Sequence, residues 1–326
     1  MKKTGVFRNA LPLRLAGFAF LAAVVFPSLC VSGAAATPLD DYVAKPDPVF
    51  RYELVNQGEK PDSTTYVYHM VSQTWLDASR VDRPLWEHTV LVTVPKALKY
   101  TKAMMFIGGG DNRKDDKPSA DAGPMEKIAT VTNSMVVEIK QIPNQPLKFP
   151  DEDDPQYREE GRKEDAMITF GWDKYLKGGD PIWLARLPMT KAVVRAMDLV
   201  QKEYPKTDGF FVAGGSKRGW TTWTVAAVDK RVIGIGPAVI DVLNFVPALE
   251  NHFNSYGFWA PSVKDYVDKK IVDRLHTPEM RNLLDVVDPY TYRDRLTMPK
   301  YILNGAGDQY FPSDSWRFYF DGLKEE

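Results

Sequence analysis

The chain has 326 residues, 42 Lys and Arg against 43 Asp and Glu, four histidines and one cysteine. With 44% hydrophobic and 26% charged residues it has the composition of a globular protein with a sizeable core, neither disordered nor disulfide-rich. Near-neutral charge gives no reason to expect a nucleic-acid partner, which needs a clustered basic surface, and one cysteine cannot form an internal disulfide.

Residues 1–36 read as a secretory signal peptide. Lys2, Lys3, Arg8 and Arg14 precede the apolar run Leu15 to Phe26, and small residues end the segment at Ala34, Ala35 and Ala36. About a dozen apolar residues fall short of the roughly 20 that span a bilayer, so no membrane span is expected after cleavage. Leu29 before Cys30 argues against lipidation. Taking 36 residues from 326 leaves 290, and taking four positive charges from −1 leaves −5. The expectation is an acidic, exported protein, periplasmic or secreted, that does not depend on disulfides.

Residues 37–326 read as one domain. Thr37 to Pro48 is polar and proline-rich and reads as a surface lead-in. Thr65 to Trp75 and His88 to Val94 suggest an antiparallel meander. Ala103 to Ile107 and Ser134 to Ile139 suit buried central strands, with a short helix over Ala122 to Val131 between them. Asp151 to Asp165 is charged and lacks the spacing and glycine of a calcium loop, so it reads as a solvated loop. Helical spacing from Pro188 to Tyr204, a strand at Phe210 to Ala213, a helix at Gly219 to Val228 and a strand at Val232 to Ile240 imply a mostly parallel sheet flanked by helices. Residues 244–297 form a mostly helical, aromatic-rich insertion, read as a cap, before a strand at Tyr301 to Leu303.

The sharpest feature is Ala213-Gly214-Gly215-Ser216-Lys217-Arg218-Gly219, set between a buried strand and a helix. That is the context of a nucleophile elbow, which lifts a serine above the sheet at the positive end of the next helix, and it points to an α/β-hydrolase-like fold. The usual pattern is G-x-S-x-G, whereas here Arg218 takes the last position and glycine follows at Gly219. Gly108-Gly109-Gly110-Asp111 ends an earlier strand, so the backbone N–H of Lys217 and those of Gly109 and Gly110 are candidate oxyanion donors. Asp308, after Gly305-Ala306-Gly307, is the first candidate for the acid that orients a histidine, and Asp241 the second.

Gly-Gly-Ser-Lys-Arg-Gly-Trp at 214–220, Tyr301 to Phe311 and Trp86-Glu87-His88 together resemble the PhoPQ-activated pathogenicity-related protein family, which is similar in fold to α/β-hydrolases. The resemblance covers almost the whole chain after the signal. It implies Ser216 as nucleophile, Asp308 as acid, Arg218 as a family trait, and a link to bacterial envelope stress or virulence. No substrate follows from it beyond an unidentified small molecule or peptide.

The triad of this fold runs serine, acid, histidine, and no histidine follows Asp308. His69 and His88 lie in the opening strands, His252 and His276 in the insertion. Three explanations compete. The base lies beyond residue 326 in a longer protein, the reading adopted; or His252 folds over Ser216; or a degenerate scaffold binds or signals without catalysis. Four scattered histidines show no metal-ligand spacing, and no cofactor is expected.

Overall fold

The computed structural model describes residues 36–112 and 118–324. The signal reading and Cys30 lie outside the described residues, apart from Ala36. Seven strands form one sheet: β1 (Arg51–Glu59), β2 (Ser63–Thr74), β3 (Leu85–Pro95), β4 (Lys102–Ile107), β5 (Met135–Ile139), β6 (Gly209–Gly215) and β7 (Val232–Ala238). Their order is β1-β2-β3-β5-β4-β6-β7. The pairs β1–β2, β2–β3 and β3–β5 are antiparallel, and β5, β4, β6 and β7 run parallel. The meander and the parallel block expected from the sequence are both present.

Nine helices accompany them among the described residues: α1 (Pro38–Ala44), α2 (Pro124–Thr132), α3 (Pro155–Glu160), α4 (Glu164–Gly178), α5 (Arg186–Glu203), α6 (Lys217–Val228), α7 (Phe245–Tyr256), α8 (Lys264–Asp268) and α9 (Pro278–Val287). Because successive strand residues face opposite ways, β2 and β3 feed two cores. Tyr68, Met70, Val90 and Val92 join the main core with residues of α5 and α6, while Val67 and Leu91 meet Ala122 and Met125 at the start of α2.

Two sequence expectations need correction. Thr37 to Pro48 is not a plain surface lead-in: Thr37 caps α1 through a reciprocal bond pair with Asp40, and the helix buries Leu39 and Val43. Asp151 to Asp165 is not a solvated loop either. It contains α3, and Arg162 and Glu152 form a fully buried ion pair within it. Burying such charges is costly unless they are paired.

Residues 244–297 are mostly helical and separate β7 from the segment 299–303. That segment runs parallel to β7 with two bridges, Ile235 to Lys300 and Ala238 to Leu303, rather than as a full strand. Among the described residues no helix is long and apolar enough to cross a membrane.

Candidate functional site

Ser216 follows β6 directly and opens α6 with φ 56° and ψ −125°, a conformation that a residue with a side chain adopts only when its surroundings compel it. Its N–H donates to the Ala238 carbonyl at 2.8 Å, and its own carbonyl accepts from Trp220 N–H at 3.0 Å. Glycine is required on both sides. A Cβ on Gly214 would stand 2.8 Å from the Arg218 carbonyl oxygen, and one on Gly219 2.8 Å from Ile240 Cγ2 and 2.9 Å from the Ala238 oxygen. Gly219 therefore supplies the close approach that the usual motif finds one residue earlier, while Gly215 meets nothing nearer than 3.8 Å. Ser216 is half-buried, and its hydroxyl makes no hydrogen bond among the described residues.

Arg218 turns away to tie two loops together. Its guanidinium holds both oxygens of Glu164, with Nη1 at 2.8 Å, and its Nε donates to the Ile142 carbonyl at 2.5 Å. Burial pushes the Glu164 carboxyl up, but Arg218, Gln145 and Lys217 together bring it below the ordinary value. Gln145 donates to Glu164 at 2.8 Å and to Asp111 at 3.2 Å. A Cβ on Gly109 would lie 2.5 Å from Arg218 Nη2, so that glycine makes room for the guanidinium.

Ile107 at the end of β4 pairs in parallel with Gly214. The loop from Gly108 to Asp111 and the turn at Ser216 thus leave neighbouring strands at the same end of the sheet, about 5 Å apart. The N–H groups of Gly109, Gly110 and Asp111 meet no acceptor among the described residues, and the Lys217 N–H belongs to the unpaired first turn of α6.

The two candidate acids differ in what holds them. Asp241 is buried and accepts from the Tyr319 hydroxyl at 2.7 Å; burial pushes its carboxyl up. Asp308 accepts from Tyr310 N–H at 2.7 Å and Phe311 N–H at 3.2 Å through Oδ1, and its Oδ2 has no donor among the described residues.

No histidine stands with them. His252 is buried, with Nδ1 bonded to the Tyr310 carbonyl at 2.8 Å and Nε2 accepting from Ala260 N–H at 3.1 Å, so both ring nitrogens are committed to backbone. His88 is likewise enclosed, bonded to Ser72 and to the Lys140 carbonyl, and burial lowers it to about 4. His69 pairs with Glu87 and Glu53, and His276 with Glu250.

Beside Ser216 lies a cavity of about 40 Å³ lined by Trp220, Ile240, Val242, Phe245, Tyr266 and other apolar side chains, with Asp165, Arg186 and Lys217 among them. Sequence reasoning missed Glu164, Asp165 and Arg186. The first two fell in a stretch read as solvated loop. Arg186 carried one usable signal, a charge at the start of a helix whose next three residues, Leu187, Pro188 and Met189, are apolar.

A mostly parallel sheet with a serine on a strained strand-to-helix turn, a glycine loop beside it and an acidic loop beyond defines the α/β-hydrolase fold. The chain belongs to the PhoPQ-activated pathogenicity-related protein family, whose model matches residues 39–326. It is 40% identical over 299 residues to Autocrine proliferation repressor protein A of Dictyostelium discoideum, covering 90% of this chain and 59% of that protein. The chain thus spans about three fifths of the length of that relative. Among solved structures, an acetyl xylan esterase from Paenibacillus sp. R4 superposes with a TM-score of 0.58 at 15% identity, covering 88% of this chain and 83% of that one. Acetyl xylan esterase 1 from Thermoanaerobacterium sp. JW/SL YS485 gives 0.56 at 15% identity, covering 88% and 84%. An S-formylglutathione hydrolase from Agrobacterium tumefaciens gives 0.51 at 13% identity, covering 84% and 88%. At such identities the likeness concerns the fold.

Proposed function

We propose that the protein hydrolyses an ester or amide bond through an acyl-enzyme on Ser216. The observation that carries this reading is the strained backbone of Ser216 between β6 and α6, beside unpaired amides on the loop after β4. Ser216 Oγ attacks the substrate carbonyl carbon and passes its proton to a histidine, which returns it to the leaving alcohol or amine. Lys217 N–H and those of Gly109 and Gly110 receive the oxyanion. Water then releases the acyl group by the reverse proton route. Asp308 orients the histidine through its open Oδ2, and Asp241 ties the C-terminal segment to the sheet. The described residues bring no histidine to Ser216, so this reading requires a base from outside them, and the chain spans about three fifths of the length of the Dictyostelium relative. Residues 1–36 direct export, and the protein acts in bacterial envelope stress or virulence, a reading supported by the pathogenicity-related description of the family. The acetyl xylan esterases suggest a small-molecule ester as substrate.

A fluorophosphonate probe applied to the full-length protein tests this. Labelling that vanishes in Ser216→Ala is expected. A folded protein that takes no label, or labels equally after the substitution, would sink it.

A second reading, a non-catalytic binding or signalling protein on the same scaffold, is favoured by one observation: every histidine of the chain is engaged away from Ser216. A serine without its base keeps only the assistance of its oxyanion donors.

A further inference from the structure

Three charged residues border the cavity beside Ser216, and their partners can be traced. Lys217 Nζ donates to Asp165 at 2.9 Å. Asp165 is the one anion among the cavity's lining residues, and Glu164 just outside is occupied by Arg218. Arg186, the first residue of α5, is 2% exposed. It lies 4.3 Å from the Trp220 ring centre and donates Nη1 to the Lys217 carbonyl at 2.9 Å. The Tyr266 hydroxyl is a further neighbour, and burial lowers the guanidinium's pKa. No carboxylate forms an ion pair with it among the described residues, and its Nε has no hydrogen-bond partner.

A guanidinium stays charged at any physiological pH, so the cavity wall carries one positive charge in excess. Taking such a group out of water without an anion is expensive. The wall offers the charge the face of Trp220, the Tyr266 hydroxyl and the Lys217 carbonyl, while Asp165, the nearest anion, acts on it only from beyond ion-pair distance and is itself paired with Lys217.

We propose that this cavity recognises a substrate whose acyl portion carries a carboxylate, with Arg186 as the residue that selects it. This rests on the serine-hydrolase reading of Ser216. The apolar walls accept the short methylene chain between the scissile carbonyl and the carboxylate, and the carboxylate pairs with the Arg186 charge. With room of about 40 Å³, the cavity suits a short chain. The substrate class is therefore a half-ester or half-amide of a short dicarboxylic acid.

The test measures binding, which does not depend on catalysis. Succinate and glutarate are titrated against the full-length protein and compared with their uncharged diamides, following Trp fluorescence and protection of Ser216 from the fluorophosphonate. The dicarboxylates are expected to bind roughly tenfold tighter or better, the size of a charge-assisted hydrogen bond. In Arg186→Gln, checked for folding by its melting curve, that preference should disappear. Equal affinity for acids and diamides, no binding of the acids, or a folded Arg186→Gln that keeps the preference would each overturn the assignment. The wild-type comparison decides the matter if the variant does not fold. A labelled Ser216 without acid preference removes this inference and leaves the hydrolase reading intact. Acid preference without labelling leaves the selectivity standing and removes the hydrolase reading.

Discussion

The Ser216 turn and the Asp308 loop leave the same end of the sheet, yet they are held very differently. Ser216 sits between two glycines whose missing Cβ atoms let backbone pass within 3 Å, and the Arg218–Glu164 pair clamps its turn to the neighbouring loop. Asp308 follows a segment that touches β7 at two bridges, with Tyr301 and Leu303 exposed. Its loop is held by its own turn, by His252 bonded to the Tyr310 carbonyl, and by the Ser262 hydroxyl bonded to the Gln309 carbonyl. The contrast teaches that a strained turn needs rigid packing on every side, whereas the Asp308 loop relies on a few polar anchors.

Substitutions on the two sides should separate in size. Gly219→Ala forces a Cβ against the Ala238 and Gly214 carbonyls and should cost about 3 kcal/mol in urea unfolding, with loss of Ser216 labelling. A stable, fully labelled variant would show that the elbow is looser than described.

Asp288 holds the start of α7 by accepting from Phe245 N–H at 2.8 Å, and it also accepts from Tyr290 N–H at 2.9 Å. Burial raises its carboxyl to about 6 from an unfolded value near 3.8. The folded protein binds this proton more tightly than the unfolded chain, so the group favours folding more as pH falls from about 6 to 4. Wild type should therefore gain on Asp288→Asn by roughly 2–3 kcal/mol across that window, measured by urea titration at each pH. A flat difference would place the carboxylate in contact with water.

Glu164→Gln leaves the Arg218 guanidinium without its charge partner and should cost about 2 kcal/mol. It should also slow labelling, because Glu164 connects the serine turn, through Arg218, to the Gly108–Asp111 loop, through Gln145. Unchanged labelling with lowered stability would make the clamp purely structural. Tyr319→Phe on the acid side removes one hydrogen bond to Asp241 and should cost about 1 kcal/mol, with labelling little affected.

Much of the site was legible because elbow chemistry is local. A serine between glycines at a strand-to-helix switch announces itself in a few consecutive residues, and β4 through β7 follow from apolar runs and periodicity. What stayed hidden was non-local. Glu164 lies 54 residues before its partner Arg218, and Arg186 lies 31 residues before the Lys217 carbonyl it supports. No short window of sequence holds both members of either pair.

By itself the amino-acid order determined the strand and helix types, the serine turn, the family and the shortage of histidines, since these depend on neighbours within a turn or a strand. Tertiary structure decided which groups share a site. Only packing could show that both nitrogens of His252 are occupied, that Asp241 is anchored, and that among the described residues one oxygen of Asp308 has no donor and the buried Arg186 forms no ion pair. Hydrogen bonds and charge pairing act across space, and chain separation carries no record of them.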